Sequence, residues 1–324
     1  MKKFISIALV MLICLSMVAV LGGCSLPFGK EKAEEGTGSN SANELAGLDK
    51  NGNVIFESAA LEKSIIELGE NQSGNKGIDE NGDGKLSKAE IDALTTLALN
   101  SDFNTIRSLK GLEYAKNLIA LLILEIPVSD LSPISELSSL KSLRLFSTNI
   151  SDLTPISGLI SLERLGFDNN QISDITPLAR LTSLKDLILS DNSISDLTPI
   201  SGLNSLESLS LRGNQISDIT PLVGLSSLKS LSLEKNNISD ISPVAGLSSL
   251  EFLELDDNQI SNIAPLARLT ALETLILSNN KISDITPLAN LTALQGLYLA
   301  GNPITTTSPL KALAAKGCMI DIPV

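Results

Sequence analysis

The 324-residue sequence predicts an α/β repeat solenoid, a stack of similar short units that each combine one β-strand with one helical turn. Three observations predict it. Asparagine recurs every 22 residues from Asn170 to Asn302, and nine of the 13 prolines follow the same period from Pro133 to Pro309. Leucine occupies 59 positions, whereas aromatic residues make up only 3% of the chain. A fixed period of this length indicates stacked units that share one continuous core.

The first segment, residues 1–23, has the features of an export signal. Lys2 and Lys3 precede an uncharged, mostly apolar stretch from Phe4 to Leu21. Two glycines then precede Cys24, an arrangement that resembles the processing site of bacterial lipoproteins, where the chain is cut before the cysteine. A transmembrane anchor is the alternative, because about 18 apolar residues are at the short limit for crossing a bilayer. The resemblance implies a covalent lipid on Cys24 and an extracytoplasmic protein anchored to the cell membrane or the outer membrane.

Residues 24–53 are predicted to be a flexible tether, because small and polar residues dominate this segment and apolar residues are few. Cleavage after residue 23 removes two lysines, which changes the net charge from −13 to −15. So acidic a chain is not expected to bind nucleic acid, which needs a basic surface. With Cys14 removed and Cys24 lipidated, Cys318 remains as a free thiol and is predicted to be a small buried residue.

Residues 54–95 are predicted to form a small helical cap. The first helix is expected to begin after Ser58 as its N-cap and to end at Gly69, because the apolar residues between them follow helical spacing. A second helix is expected from about Ser87 to Leu97. These two helices would cover the first unit of the solenoid.

Between the two predicted helices, residues 79–90 match the calcium-binding loop of the EF-hand at each diagnostic position. Such a loop offers calcium side-chain oxygens, a backbone carbonyl and a bidentate glutamate, and it needs a glycine at its sharp turn, here Gly84. The predicted ligands are Asp79, Asn81, Asp83, the Lys85 carbonyl, Ser87 and Glu90. The alternative is a metal-free acidic turn in which Ser87 caps the second helix. A segment that begins similarly at Asp49 lacks the later glycine and glutamate, so no second complete loop is predicted.

Residues 96–324 are predicted to form the solenoid itself. In a typical unit, Leu187 and Leu189 mark a short strand with inward-pointing side chains, and Asn192 follows in the loop. Stacking these strands gives a parallel sheet on the concave side, with about 4.8 Å between neighbours. The asparagine is expected to turn inward and to bond the buried backbone of the loop.

The other side of each unit is predicted to hold a short helical turn that begins at a Thr-Pro or Ser-Pro pair. Proline is tolerated at the first helical position, and we expect the preceding hydroxyl to cap the turn. Ala264 lacks this hydroxyl, so its turn should be weaker. Aspartate also recurs in this part of the unit, and we interpret it as a turn residue rather than as a row of metal ligands.

The unit from Leu184 to Leu203 has the leucine-rich repeat pattern. Its 22-residue length and the segment from Ile172 to Leu178 resemble the repeats of bacterial internalins, and the residues from Gly111 to Tyr114 resemble the entry to internalin arrays. The resemblance covers approximately residues 54–324. It implies the leucine-rich repeat fold and a role in binding another protein, without indicating which protein.

The composition argues against catalysis. The chain has no histidine, which removes the usual general base near pH 7, the commonest metal ligand and every Ser-His or Cys-His nucleophile pair. The sequence also contains neither a phosphate-binding glycine loop nor a Gly-x-Ser-x-Gly elbow. We therefore expect a protein that is not an enzyme.

The outward-pointing strand positions are the candidate binding residues, because the inward positions are fixed by the core. Aromatic residues and arginine are favoured as anchors of protein interfaces. Two groups meet this description. The first comprises Arg144, Arg164 and Arg212, and the second comprises Phe252, Glu254, Asp256 and Tyr298. The alternative for any single one of them is a solvated strand side chain without a partner.

These features predict a lipid-anchored, surface-displayed monomer that binds another protein through its concave β face, as an adhesin or an envelope-interaction module. The alternative is an envelope spacer or assembly lipoprotein that needs no specific foreign ligand. The two hypotheses differ in one respect. Only the first expects changes at the outward residues to alter the capture of a partner.

Overall fold

The computed structural model describes residues 47–73 and 78–324. The predicted signal peptide, Cys24 and most of the predicted tether lie outside these residues. Within the two described ranges, no helix has both the length and the apolar character that crossing a membrane requires.

One parallel sheet runs through the solenoid, and its strands follow one another in sequence order. The eleven strands of the described ranges are β1 Thr96–Leu99, β2 Ala120–Leu124, β3 Ser142–Phe146, β4 Arg164–Gly166, β5 Asp186–Ile188, β6 Ser208–Ser210, β7 Ser230–Ser232, β8 Phe252–Glu254, β9 Thr274–Ile276, β10 Gly296–Tyr298 and β11 Met319–Ile320. From β2 to β10 the register between neighbours is 22 residues, as in the pairing of Leu187 with Leu209. Because the register equals the sequence period, equivalent residues of all these units lie side by side. The predicted α/β repeat solenoid is confirmed.

Leucines at the inward strand positions form the core. Leu187 and Leu189 are fully buried, and so are the leucines one and two units away. Burying such a side chain contributes about 1.5–3 kcal/mol relative to leaving it exposed. One hydrophobic cluster extends from Val54 in the cap to Cys318 near the other end. Cys318 is therefore a small buried residue, as predicted.

The recurring asparagine connects adjacent units through hydrogen bonds, as the sequence predicts. Nδ2 of Asn236 donates to the carbonyls of Leu211 and Leu233 at 3.0 and 3.1 Å, and Oδ1 accepts from the amide of Ile216 at 3.0 Å. Equivalent bonds are made by the asparagines from Asn192 to Asn302. Each side chain satisfies backbone groups of a buried loop that would otherwise lack partners.

The helical turn of each unit is a 3₁₀ turn, such as Thr198–Ile200. The prediction that the hydroxyl residue is the N-cap is wrong, because Thr198 is the first residue of the turn and its proline is the second. Asp196 provides the capping bond instead, since its Oδ1 accepts the amide hydrogen of Thr198 at 2.8 Å. Aspartates in six other units make the same bond, and Asn262 makes it in the unit with Ala264. The interpretation of the recurring aspartate as a turn residue is therefore confirmed.

The cap contains the helices α1 Ala59–Ser73 and α2 Lys88–Asp92. The first helix thus continues past the predicted end at Gly69. The predicted end of the second helix at Leu97 is wrong, because residues 96–99 form β1 and pair with β2. This pairing satisfies the backbone groups of the segment and buries Leu97, so sheet formation replaces the helical turn that spacing alone favoured.

The last part of the predicted tether is folded against the cap. Leu48 and Val54 form an antiparallel bridge, and Asn53 forms a second one with Ser87. Residues 47–53 therefore belong to the cap in the structure. The segment that begins like a calcium loop at Asp49 lies between Leu48 and Val54, which form the first of these bridges. The sequence did not indicate either bridge.

The carboxyl end of the solenoid adds one helix and one strand. A short helix, α3 Lys311–Ala315, follows the last 3₁₀ turn and precedes β11. Between α3 and β11, Gly317 has φ of +89°, in the left-handed region that favours glycine. The chain therefore leaves the helix at Gly317 and adds one more strand to the sheet.

Candidate protein-binding face

The outward-pointing side chains of β3 to β10 lie in three columns across the sheet, and we call this surface the strand face. The first column contains Ser142, Arg164, Asp186, Ser208, Ser230, Phe252, Thr274 and Gly296, and the second contains Arg144, Gly166, Ile188, Ser210, Ser232, Glu254, Ile276 and Tyr298. The third column, two residues further along the chain, contains Phe146, Asp168, Ser190, Arg212, Glu234, Asp256, Ser278 and Ala300. All of the predicted partner-binding residues belong to these columns.

Arg144 is buried, so the prediction that it is available to a partner is wrong. Its side chain is 2% exposed, and Nη2 donates to Oδ2 of Asp186 at 2.6 Å. Arg144 can reach two strands away because the residue between them on its column is Gly166, which has no side chain. A Cβ atom at Gly166 would lie 3.3 Å from Cγ of Arg144 and 3.2 Å from Cε1 of Phe146. Arg144 is therefore part of the scaffold beneath the strand face.

Two carboxylates beside Arg144 have raised pKa values. Burial raises the pKa of Asp168 to about 7, although a bond from the Ser190 amide and the positive charge of Arg144 act in the opposite direction. Burial also raises the pKa of Asp186, and the charges of Arg144 and Arg164 oppose this increase. The charge of this part of the strand face therefore changes with pH in the neutral range.

The other two predicted arginines differ in their surroundings. Arg164 is exposed, and the residue beside it on the neighbouring strand β5 is Asp186. Arg212 is 29% exposed, and its guanidinium bridges Glu234 at 2.7 Å and Asp191 at 3.1 Å. The three arginines thus do not form one group, because Arg212 belongs with the acidic residues of later units.

Four carboxylates, which we call the acidic group, lie at the carboxyl-terminal half of the strand face. They are Glu234, Glu254, Asp256 and Asp257. Oxygens of Glu234, Asp256 and Asp257 lie within 4.8 Å of one another. They converge because Glu234 and Asp256 are neighbours on the third column and Asp257 follows directly in the chain. Sequence reasoning selected Glu254 and Asp256 but not the other two, although the 22-residue spacing of Glu234 and Asp256 is a signal that could have found the pair.

Burial and mutual repulsion raise the pKa of two members of the acidic group. The pKa of Asp256 rises to about 7, first because of burial and then because of the negative charges of Glu234, Glu254 and Asp257. Burial also raises the pKa of Glu254, while a hydrogen bond from Ser232 Oγ at 2.6 Å opposes the increase. Oδ1 of Asp256 is buried and has no hydrogen-bond partner. Negative charge is therefore poorly stabilised at this point of the strand face.

Phe252 and Tyr298 lie next to the acidic group, and both are half-buried. Phe252 is the outward residue that precedes Glu254 on β8, and Ile276 separates Glu254 from Tyr298 on the second column. The ring of Tyr298 lies over Gly296, where a Cβ atom would be 3.3 Å from Cε2 of the ring. The second predicted group is therefore one continuous surface across β8, β9 and β10.

The predicted calcium loop, residues 79–90, is folded around its own backbone amides. Asp79 accepts from the amides of Gly82 and Gly84 at 2.8 and 2.9 Å. Asn81 and Asp83 each accept from the amide two residues further on, at 2.8 Å. These bonds give the loop the shape that its sequence predicts.

Glu90 makes two backbone bonds in the same loop. Its Oε1 accepts from the amide of Glu80 at 2.9 Å, and its Oε2 accepts from the amide of Ser87 at 2.8 Å. Burial alone would raise the pKa of Glu90, but hydrogen bonds from Ser87, Glu80 and Asn81 outweigh it and lower this pKa. Ser87 in turn accepts from the Glu90 amide, which completes the capping box of α2. Capping by Ser87 is therefore present in the structure, and calcium binding stays a prediction.

A family model of leucine-rich repeats matches the chain four times, over residues 138–180, 182–224, 226–268 and 270–312. The matches together cover more than half of the sequence. A comparison with curated proteins returns no match.

Solved structures show the same similarity. An internalin, InlF, from Listeria monocytogenes is 29% identical, with a TM-score of 0.59, and the alignment covers 83% of this chain and 96% of that chain. A leucine-rich repeat protein from Leptospira interrogans is 27% identical, with a TM-score of 0.66, over 73% of this chain and 63% of that chain. The functional domain of InlJ from Listeria monocytogenes shares the fold at 22% identity, with a TM-score of 0.66, over 80% of this chain and 53% of that chain.

Leucine-rich repeat proteins of the internalin type commonly mediate protein–protein interactions and are typically non-enzymatic scaffolds. The 22-residue register, the asparagine bonds and the four family matches lead to one assignment. The chain belongs to the leucine-rich repeat family, and its repeats are of the internalin-like kind.

Proposed function

We propose that this chain is a lipid-anchored protein displayed at the cell surface, and that it binds another protein through the strand face. The observation that carries the proposal is the contrast between the two sides of the sheet. The inward strand positions are almost uniformly leucine, whereas the outward residues change from unit to unit. The core explains the uniform positions, and recognition of a partner explains the varied ones.

The strand face offers residue types that suit an interface. Arg164 is exposed, and Phe252 and Tyr298 are half-buried, so part of each ring remains available. Arginine and aromatic side chains are favoured as interface anchors because they combine a large contact area with specific polar or ring contacts. The burial of Arg144 removes one candidate but leaves these three.

Crosslinked capture from intact cells with the full chain tests binding through the strand face. The test variant carries Arg164→Glu and Tyr298→Ala. The control variant carries Thr182→Glu and Ser226→Ala, at exposed positions outside the three columns. We expect the test variant to lose proteins that the wild type and the control capture. Recovery of the same proteins from all three chains would contradict the proposal and favour the alternative, an envelope spacer without a specific foreign ligand.

The lipid anchor is supported by the sequence around Cys24, where two glycines separate an apolar stretch from the cysteine. Growth with a labelled fatty acid tests it. We expect wild type and Cys318→Ser to carry the label and to sediment with membranes, and Cys24→Ser to lose the label. Equal labelling of the Cys24→Ser chain would contradict acylation at that thiol.

Calcium is also proposed as a ligand of residues 79–90. Three side chains, Asp79, Asn81 and Asp83, carry oxygens at the first, third and fifth positions, and Gly84 has φ of +76°, as the turn of such a loop requires. The fit is incomplete at Glu90, because both of its oxygens accept backbone amide hydrogens. Bidentate binding by Glu90 would require it to exchange these bonds for the cation.

A further inference from the structure

We propose that the strand face from β8 to β10 docks a basic segment of another protein, with a lysine or arginine side chain placed against Glu254 and Asp256. This docking surface consists of Phe252, Glu254, Asp256, Asp257, Ile276 and Tyr298. The proposal rests on the strand face being the binding surface proposed above. It adds the chemistry of the partner.

The docking surface carries negative charge that the rest of the described chain does not pair. Arg212 and Lys235 form salt bridges to Glu234, at 2.7 and 2.8 Å, and their charges act on Glu254 only at longer range, where they lower its pKa. Across residues 47–73 and 78–324, no salt bridge involves Glu254 or Asp256. A positively charged partner would supply the missing counter-charge.

One carboxylate oxygen of the docking surface also lacks a hydrogen bond. Oδ1 of Asp256 is covered by protein and has no partner, and burial with the neighbouring charges raises the pKa of Asp256 to about 7. A carboxylate in these surroundings is stabilised in its charged form when a cation approaches. Because Asp256 as a whole is only half-buried, a cation at its exposed part would compensate a charge that the fold stabilises poorly.

Apolar side chains flank the carboxylates, which favours a peptide over a metal ion. Phe252, Ile276 and Tyr298 are each half-buried on the strand face. The methylene stem of lysine or arginine packs against such side chains while its charged end stays on the carboxylate. An aromatic ring also attracts the cation itself. A metal ion would use the oxygens alone and would leave these three side chains without a role.

Binding of fluorescein-labelled octa-arginine to the full chain at low salt tests the proposal. The measurement is made at pH 8, above the pKa of about 7 of Asp256. There the test variant, with Glu254→Gln and Asp256→Asn, removes two charges from the docking surface and hardly changes side-chain volume. The control variant, with Asp196→Asn and Asp218→Asn, removes two charges from the row of turn aspartates. Asparagine suits that row, because Asn262 makes the same bond to the amide that follows. We expect about tenfold weaker binding for the test variant and a change of about twofold or less for the control.

Three results would overturn the proposal. The first is equal weakening in both variants, which indicates general attraction to an acidic chain. The second is unchanged binding in the test variant, and the third is no binding by the wild type. Thermal unfolding checks that each variant is folded, and Glu254→Gln alone replaces the double variant if that one unfolds. A parallel Mn²⁺ titration covers the metal alternative. If Mn²⁺ binds through Glu254 and Asp256 and octa-arginine does not compete, the surface is a metal site and the proposal fails.

Crosslinked capture with the same two variants separates this proposal from the proposed function. Capture that depends on Arg164 and Tyr298 but not on Glu254 and Asp256 supports strand-face binding and rules out the basic partner. Capture that depends on none of the four residues removes both proposals. Capture lost on changing Glu254 and Asp256, and kept in the control, supports both.

Discussion

Arg144 and Asp186 form an ion pair that crosses one strand, and Gly166 on the strand between them is what makes the crossing possible. The guanidinium is almost completely buried, and Asp186 accepts a hydrogen bond from it at 2.6 Å. Asp168 adds a second negative charge nearby. Removing one partner of a buried pair leaves a charge without compensation and is strongly destabilising. The absence of a side chain at Gly166 therefore leaves room for an ion pair that spans three strands.

Substitution Gly166→Ala should destabilise the solenoid. The added Cβ would lie 3.2 Å from Phe146 Cε1 and 3.3 Å from Arg144 Cγ, so both side chains must shift. We expect a loss of about 1–3 kcal/mol in the free energy of unfolding, as for other additions to a well-packed site, measured by urea denaturation. Gly158→Ala is the matched control, because a Cβ there meets nothing within 4 Å. Equal effects of the two substitutions would contradict the role of Gly166.

Substitution Asp168→Asn should stabilise the protein increasingly as the pH rises. The folded state raises the pKa of Asp168 from 3.8 to about 7 through burial, with Asp191 and Asp186 adding to the effect and Arg144 opposing it. Between these values the folded state holds more protons than the unfolded state, so the contribution of Asp168 to stability falls with rising pH. Asparagine keeps an acceptor for the Ser190 amide and does not titrate.

The measurement is urea unfolding of both chains between pH 5 and pH 8. We expect the advantage of Asp168→Asn to grow across this window and to reach the order of 2 kcal/mol at the upper end. Asp174→Asn serves as the control, because hydrogen bonds from Thr176 lower the pKa of Asp174, and its titration lies below the window. A stability difference for Asp168→Asn that does not change with pH would contradict this prediction.

Substitution Asn236→Ala should cost about 1–3 kcal/mol in the free energy of unfolding, because it leaves buried backbone groups of two units without partners. The lost bonds are those to Leu211, Leu233 and Ile216. Asn237 is exposed and adjacent, so Asn237→Ala provides a matched comparison in the same loop. Similar denaturation midpoints for the two variants would show that the asparagine bonds contribute little.

Calcium should raise the melting temperature of the full chain and not that of Asp83→Ala, because a ligand that binds only the folded state stabilises it by mass action. Glu80→Ala is the control within the same loop, since Glu80 contributes its backbone amide rather than its side chain. Thermal unfolding with increasing calcium provides the measurement. A melting temperature that stays constant in both wild type and Asp83→Ala would exclude a calcium role for residues 79–90.

Much of the fold could be predicted because the period makes each observation repeat. Leu187 and Asn192 have equivalents in unit after unit, so one interpretation of their roles is supported many times along the chain. The errors arose where two local solutions compete. A hydroxyl and a carboxylate can both cap a helical turn, and the carboxylate of Asp196 reaches the Thr198 amide. Leu97 fits helical spacing, but pairing with β2 places it in a strand.

The candidate site was less predictable, because its properties depend on neighbours in other units. Arg144 and Arg164 are both outward strand positions in the sequence, yet one is buried and the other is exposed. The difference follows from Gly166, which leaves room beside Arg144. Likewise, the spacing of Glu234 and Asp256 indicates adjacency, whereas the high pKa of Asp256 requires burial together with nearby charges.

The sequence by itself determined the 22-residue period. The strand register, the leucine core and the asparagine bonds follow from that period. They do so because a repeated unit must place equivalent residues next to one another when it stacks. Only the tertiary structure decided which outward side chains are covered, which charges form ion pairs and which carboxylate oxygen lacks a hydrogen bond. These properties depend on the side chains of two or three adjacent strands together, as Arg144 buried across Gly166 and Asp256 beside Glu234 both show.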